Sequence, residues 1–100
     1  MEQGNYLLVK RTLRGGMVAG TFRVLVHDDI EPQPLTLAEA RLSLSAECYL
    51  HAVTRWEVDV QATDDAAGFR MVAKRDNVRR VVRAVHADMV EQLGLNPESN

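Results

Sequence analysis

Cys48 and His51 are the two side chains whose types and spacing come closest to a reactive pair. They stand three positions apart and would share one face of a helix, where a thiol beside an imidazole could form a nucleophilic dyad or half a metal site. Further metal ligands could come only from the scattered His27, His86 and Glu47. We therefore interpret Cys48 as a core cysteine near a surface histidine, and predict no catalytic residue and no metal.

The motifs of the common catalytic sites are missing from the chain. Gly15-Gly16 is not followed by the Lys-Ser/Thr of a phosphate loop, and neither His-Glu-x-x-His nor Gly-x-Ser-x-Gly occurs. The acids of residues 28–31 and 64–65 fall in segments with the composition of turns, so we interpret them as turn residues rather than as cation ligands. The sequence thus predicts a protein that is not an enzyme, has no cofactor and takes no small-molecule substrate.

The charge of the chain is unevenly distributed. Residues 28–65 hold nine acids and two arginines, whereas six of the twelve cationic residues lie between Arg70 and Arg83. The formal net charge is nevertheless −2, which argues against a dedicated non-specific binder of nucleic acid.

The basic segment has three competing interpretations. Its arginines could pair internally with Glu57, Asp59 or the acids of residues 28–31; they could bind carboxylates of a partner protein; or they could contact phosphates of a nucleic acid. The predicted contact surface combines this segment with the open face of the first hairpin: Arg79, Arg80, Arg83, Lys74, Arg75, Arg14, Arg23 and Tyr6.

These features predict a binding protein without catalytic activity. We expect a homo-oligomer or a small accessory, regulatory or inhibitory subunit of a larger assembly, with nucleic-acid binding through the same arginines as the alternative. A single cysteine forms no intrachain disulfide, the N-terminus lacks the features of a signal peptide, and no apolar run reaches the ~18 residues of a membrane span. We therefore expect a cytoplasmic protein that does not bind membranes.

The first structural element predicted is a hairpin from about Asn5 to His27. Gly15-Gly16 suits a type I′ turn, which would pair Val9 with Phe22, whereas a longer loop would shift this register. The predicted core face carries seven apolar residues, and the other face is left open. The core face consists of Leu7, Val9, Leu13, Val18, Phe22, Val24 and Val26, and the open face includes Tyr6, Leu8, Lys10 and Arg14.

A helix from about Leu37 to Val53 should follow. Thr36 and Glu39 match a capping box, with Thr36 as N-cap and Glu39 at N3. The rival interpretation is a strand, because apolar residues also alternate between residues 42 and 50. If the segment is a helix, we expect its core stripe to be Leu42, Ala46, Leu50 with Tyr49, and Val53.

The second half of the chain predicts another hairpin and another helix. A loop over residues 64–67 would pair Val60 with Met71 and place Glu57 opposite Lys74. The final helix would begin after Asp76 and end before Gly94. The fold class predicted is α+β, a two-layer sandwich of order ββαββα with a four-stranded antiparallel sheet and two helices on one face. It forms a single domain over residues 1–95, with a flexible tail at 96–100.

Overall fold

The structure, a computed structural model, describes residues 4–15, 23–24 and 33–92. Its strands form an antiparallel sheet in the order β2-β1-β5-β4-β3. The chain is therefore of the α+β class, with an open antiparallel sheet and two helices. In chain order, the elements are β1 (Tyr6–Arg14), β2 (Arg23–Val24), α1 (Leu37–Val53), β3 (Glu57–Ala62), β4 (Phe69–Arg75), β5 (Val78–His86) and α2 (Ala87–Gln92).

The β3–β4 hairpin has the predicted register. Val60 lies opposite Met71 and Glu57 opposite Lys74. The loop closes with a hydrogen bond from Thr63 N to Gly68 O at 3.1 Å, and Gly68 adopts φ +84°, a conformation that favours glycine. The alternation of apolar residues and the loop length were sufficient to predict this register, because a slip by one residue would have turned every side chain to the other face of the sheet.

Helix α1 is confirmed between the predicted ends. The Thr36 hydroxyl accepts a hydrogen bond from Glu39 N at 3.1 Å, and Thr36 N donates to Glu39 Oε1 at 2.9 Å, which completes the capping box. The bond from the Thr36 backbone holds the pKa of the Glu39 carboxyl below its usual value. The strand interpretation of residues 42–50 is excluded.

The predicted final helix is wrong over most of its length. Residues 78–86 form β5, which lies at the centre of the sheet between β1 and β4, and only residues 87–92 are helical. The element order is therefore ββαβββα, with one helix between strands instead of the predicted ββαββα. Of the two helices predicted to lie on one face of the sheet, only α1 is confirmed there, since the second predicted helix is mainly a strand.

The physical reason lies in the valines of this segment. A strand that is paired on both sides and covered on both faces needs apolar residues on both, so its sequence loses simple alternation and can be mistaken for a helical stripe. Val81 and Val82 are consecutive and both buried. β-Branched residues favour strands over helices. Asp76, predicted as a helix N-cap, instead lies with Asn77 in a two-residue hairpin loop and adopts φ +53°.

In the first hairpin, helix α1 packs on the face of β1 opposite to the one predicted, whereas in the β3–β4 hairpin it packs on the predicted apolar face with Met71 and Ala73. It contacts β1, β3, β4 and β5, and its Leu44 is buried together with Leu8, Met71 and Val82. Leu8 was predicted on the open face, but it is 7% exposed, and Val9 on the other face is 1% exposed. Because β1 is apolar on both faces, alternation could not decide which of them α1 covers.

The first hairpin also differs in register. Val9 pairs with Val24 rather than with Phe22, so the predicted register is wrong. Gly15 adopts φ +58°, and its N–H donates to Asn77 O at 3.1 Å, which ties the end of β1 to the β4–β5 loop. The predicted tail at 96–100, the domain boundary at 95 and the acids of residues 28–31 lie outside the described residues. In the described part of the chain, no helix has the length and apolarity that crossing a membrane requires.

Candidate binding surface

The residues predicted to form the core stripe of α1 face away from the sheet. Leu42 is 72% exposed, Tyr49 68%, Val53 55% and Leu50 50%. The prediction that they are core is therefore wrong. Together with the exposed Ala46 they follow the i, i+4, i+7, i+8, i+11 spacing of one helix face. We call this face the outer stripe: Leu42, Ala46, Tyr49, Leu50 and Val53.

The opposite face of α1 packs on the sheet, although two of its residues are polar. Its buried residues are Ala40, Leu44, Glu47 and His51. The sheet beneath the C-terminal half of α1 includes Lys10, Thr12 and Arg80, so it suits the polar Glu47 and His51 better than the outer stripe. A prediction from hydrophobicity alone therefore placed the wrong face of α1 on the sheet, because the sheet surface beneath it is partly polar.

Arg80 is the centre of this polar contact. Its Nε donates to Thr12 Oγ1 at 3.2 Å and its Nη1 lies 3.2 Å from His51 Nε2. Its Cζ is 4.8 Å from the centroid of the Trp56 ring, and the Cζ of Arg75 is 4.7 Å from the same centroid. Two guanidinium groups thus engage one indole through cation–π contacts.

The electrostatics of this region reflect an excess of positive charge. Burial lowers the pKa of Lys10, and the nearby Arg80 lowers it further. Burial also lowers the pKa of Arg80, Arg14 adds to the effect, and the Glu47 carboxylate opposes it. One carboxylate therefore offsets several cations between α1 and the sheet.

Cys48 and His51 do not form a reactive pair. His51 Nδ1 is bonded to Glu47 O at 2.7 Å and Nε2 to Arg80, so both ring nitrogens already have partners. Burial raises the pKa of the half-buried Cys48 thiol, and the Glu47 carboxylate raises it further. The thiol is therefore held in its less reactive protonated form.

The three arginines predicted to form one cluster are divided between the two faces of the sheet. Arg79 and Arg83 lie on the face away from α1, whereas Arg80 lies beneath it. Arg79 is exposed. The Nη2 of Arg83 pairs with Asp65 Oδ2 at 3.3 Å, while its Nε is buried with no hydrogen-bond partner among the described residues. An internal contact thus engages Arg83, but its partner Asp65 is not one of the acids that the first interpretation of the basic segment named.

Of the other predicted contact residues, Tyr6 belongs to the covered side of the sheet. It is half-buried against the core cluster, and its ring makes an edge contact with His86, with the centroids 5.4 Å apart. Arg23 lies in β2, in register with Lys10. The prediction that Tyr6 and Leu8 lie on an open face of the sheet is therefore wrong, because α1 covers that face.

One end of the molecule collects cationic side chains. Arg14 and Arg75 are both in register with Val78, and Lys74 with Arg79. Arg75 Nη1 donates to Thr54 O at 3.2 Å, which brings the C-terminal end of α1 to the same place. We call this group the basic end: Arg14, Arg55, Lys74, Arg75, Arg79 and Arg80. All of these except the half-buried Arg80 are exposed, and none forms an ion pair with a described carboxylate. Two exposed acids, Glu57 and Asp76, lie at the same end.

The other end is acidic. Tyr6 pairs with both His86 and Leu35, so the start of β1, the end of β5 and the N-terminal end of α1 lie together. The β3–β4 loop reaches this end through the pair between Asp65 and Arg83. We call this group the acidic end: Glu39, Asp64, Asp65 and Asp88. It also contains the cations Arg41 and Arg83, the second of which is paired with Asp65. Helix α1 therefore runs from the acidic end to the basic end.

The sequence pattern identified the residues of the outer stripe as one face of a helix, but that face was assigned to the core. The signal that could have corrected it is the polar pair Glu47 and His51, four residues apart on the opposite face, which needs a polar partner surface. No protein-family model, curated protein or solved structure matches this chain. Its function is therefore inferred from these surfaces.

Proposed function

We propose that this protein is a non-catalytic protein-binding module, and that the outer stripe of α1 is its contact surface. The observation that carries the proposal is the exposure of Leu42, Tyr49, Leu50 and Val53 on one face of one helix. Scattered apolar residues are ordinary on protein surfaces, whereas a continuous apolar patch marks an interaction site or an aggregation hazard. A helix with its apolar face exposed can dock against another helix or in an apolar groove.

The composition of the stripe also suits an interface. Tyrosine is enriched among residues that dominate binding energy, because it offers a large rigid surface with a polar tip. Tyr49 lies near the middle of the stripe, with Leu42 and Val53 towards its ends. The exposed cations on the α1 side of the basic end and the carboxylates of the acidic end supply a polar rim of the kind that surrounds interface cores.

The contacts inside the fold support a role without catalysis. Both ring nitrogens of His51 are engaged, and the Cys48 pKa is raised. The chain would then act as a homo-oligomer or as a small accessory, regulatory or inhibitory subunit in the cytoplasm. In this proposal the exposed Arg14 and Arg75 contribute at the rim, whereas Arg80 and Arg83 serve mainly the fold. Lys74 and Arg79 lie on the sheet face away from α1 and take no part in this contact.

The test is affinity capture from the native host with tagged wild-type chain and with Tyr49→Lys/Leu50→Lys. Both residues are at least half exposed, so the variant should fold. The matched control is Val60→Lys, an exposed apolar residue on β3, 57% exposed. Mass spectrometry should show proteins, including untagged copies of this chain, that the wild type and the control retain and the double variant loses. Equal recovery on all three would contradict the proposal.

The basic end favours a second candidate function, binding of nucleic acid. Five of its six cations are exposed, and none is paired with a described carboxylate, so phosphates could replace their water. A mobility shift that weakens steeply with salt and is lost in Arg14→Glu/Arg55→Glu/Arg79→Glu would support it. Binding that survives these three substitutions, or no shift at low salt, would exclude it.

A further inference from the structure

We propose that the occupant of the outer stripe is a second copy of this chain, whose α1 packs antiparallel to the first about a two-fold axis. This inference rests on the proposed protein-binding function and names its partner. Its support is the symmetry of the stripe, the charge at the two ends of α1 and the area that the stripe can bury.

The stripe is close to self-complementary. A two-fold contact brings the same patch of both copies together, so a residue before the centre of the helix meets one after it. With the axis between Glu47 and Cys48, Leu42 of one copy lies beside Val53 of the other, and Ala46 lies beside Tyr49. Leu50 lies beside the exposed Ser45 at the edge of the contact. A large side chain thus meets a small one near the axis, and two aliphatic side chains meet towards each end. This alternation of large and small residues lets two helices interdigitate.

The charges select the antiparallel arrangement. Because α1 runs from the acidic end to the basic end, antiparallel pairing places the acidic end of each copy over the basic end of the other. Glu39 is the exposed acid of the first turn of α1, and Arg55 is the exposed cation just beyond its last turn. The exposed Arg41, near the N-terminal end of α1, lies beside Thr54 of the other copy and offsets part of this attraction. The helix dipoles oppose each other in the same arrangement. A parallel pair would place like charges together at both ends, which is unfavourable.

The area of the stripe requires these ends to take part. Its exposed side chains offer on the order of 400 Å² per copy, since a fully covered aromatic side chain alone buries roughly 150–250 Å². A standard interface takes about 800 Å² from each partner. The stripe therefore provides an apolar centre, and the charged residues on the α1 side of the two ends, such as Glu39, Arg55 and Arg75, must provide the remaining surface as a rim. Such an interface should be of moderate strength and sensitive to salt.

Disulfide trapping tests the arrangement. Leu42→Cys and Val53→Cys are each made in a Cys48→Ser chain, so that each variant has one exposed thiol, and they are oxidised separately and mixed. The antiparallel pair predicts that the mixture forms the Leu42→Cys/Val53→Cys cross-link in excess over either self-linked product. Self-linked products that form faster than the mixed cross-link would show a parallel pair. No cross-link in excess of an exposed-cysteine control at Val60→Cys would show no pair. Both results overturn the proposal.

Sedimentation equilibrium of the full chain provides the second measurement. The wild type should show a reversible dimer whose dissociation constant rises with sodium chloride. Tyr49→Lys should raise this constant by about thirtyfold or more, the loss expected for a central aromatic anchor. Val60→Lys should leave it unchanged. A wild type that stays monomeric at millimolar concentration overturns the homodimer; the proposed function would still stand if host proteins were captured in a stripe-dependent way, and would fall if they were not.

Discussion

Arg80 and His51 join the sheet to α1 through a hydrogen bond of 3.2 Å between Nη1 and Nε2. Because a guanidinium can only donate, Nε2 must be the acceptor, and the proton of the neutral ring lies on Nδ1. That nitrogen donates to the carbonyl oxygen of Glu47 at 2.7 Å. One arginine of the basic segment is thus built into the contact between helix and sheet, where Trp56 also covers it.

We predict that Arg80→Ala lowers the free energy of unfolding by about 1–3 kcal/mol, through the loss of two hydrogen bonds and a cation–π contact. Urea denaturation measures this change. The matched control is Arg79→Ala, one position along β5 but exposed, which should remain within ~0.5 kcal/mol of the wild type. If the two variants lost equal stability, the internal role assigned to Arg80 would be wrong.

Lys10 should make the protein more stable at alkaline pH. Burial lowers its pKa in the folded state, so between the folded value and the ordinary 10.5 the unfolded chain binds more protons and the free energy of unfolding rises with pH. The gain should not exceed about 1 kcal/mol, since the side chain is partly screened by water. Denaturant titrations of wild type and Lys10→Met across this range should show the slope only in the wild type; a falling stability attributable to Lys10 would contradict the account.

Asp65 should have the opposite dependence, at low pH. Partial burial raises its pKa, but hydrogen bonds from Thr63 and Gly68 and the charge of Arg83 outweigh this and hold it below the ordinary value. Its contribution to stability is therefore complete above the ordinary pKa of 3.8 and disappears as the pH falls through the folded value. Asp65→Asn should lower the stability at neutral pH by up to ~1 kcal/mol and flatten the acid slope, whereas Asp64→Asn should do neither. Identical acid slopes in wild type and Asp65→Asn would argue against the pair.

The thiol of Cys48 should react slowly with iodoacetamide. Burial and the Glu47 carboxylate both raise its pKa, so the thiolate fraction at neutral pH is small. The pH at which half-maximal alkylation rate is reached should lie above that of a free cysteine, and Glu47→Gln should lower it. A rate that is already maximal near pH 7 would indicate an activated cysteine and would contradict a role without catalysis.

The parts of the fold that the sequence predicts correctly are those with local signals. The capping box of Thr36 and Glu39 determines the start of α1, and the pairs from Glu57/Lys74 to Ala62/Phe69 follow from alternation and a loop of known length. Such features depend on neighbours within a few residues. They can therefore be read without knowledge of what packs above or beside them.

The errors arise where a segment is apolar on more than one face. In β5 the consecutive Val81 and Val82 face opposite layers, and in α1 Leu44 and Leu42 face opposite sides of the helix. Periodicity shows that both segments have apolar faces but not which face is covered. The choice depends on the partner surface, which for α1 contains Arg80 and Lys10. The sequence thus predicted which residues form the apolar stripe of α1, but it placed them against the sheet instead of on the outer surface.

The most direct test of the account follows the methyl groups of α1 by NMR during dilution from millimolar to micromolar concentration. Leu42, Leu50 and Val53 face outward, and Leu44 on the same helix is fully buried and serves as the internal control. We predict that the resonances of the three outward residues shift together on dilution while those of Leu44 do not. If all four resonances stay unchanged, or only residues away from α1 respond, the outer stripe does not bind a second copy of this chain.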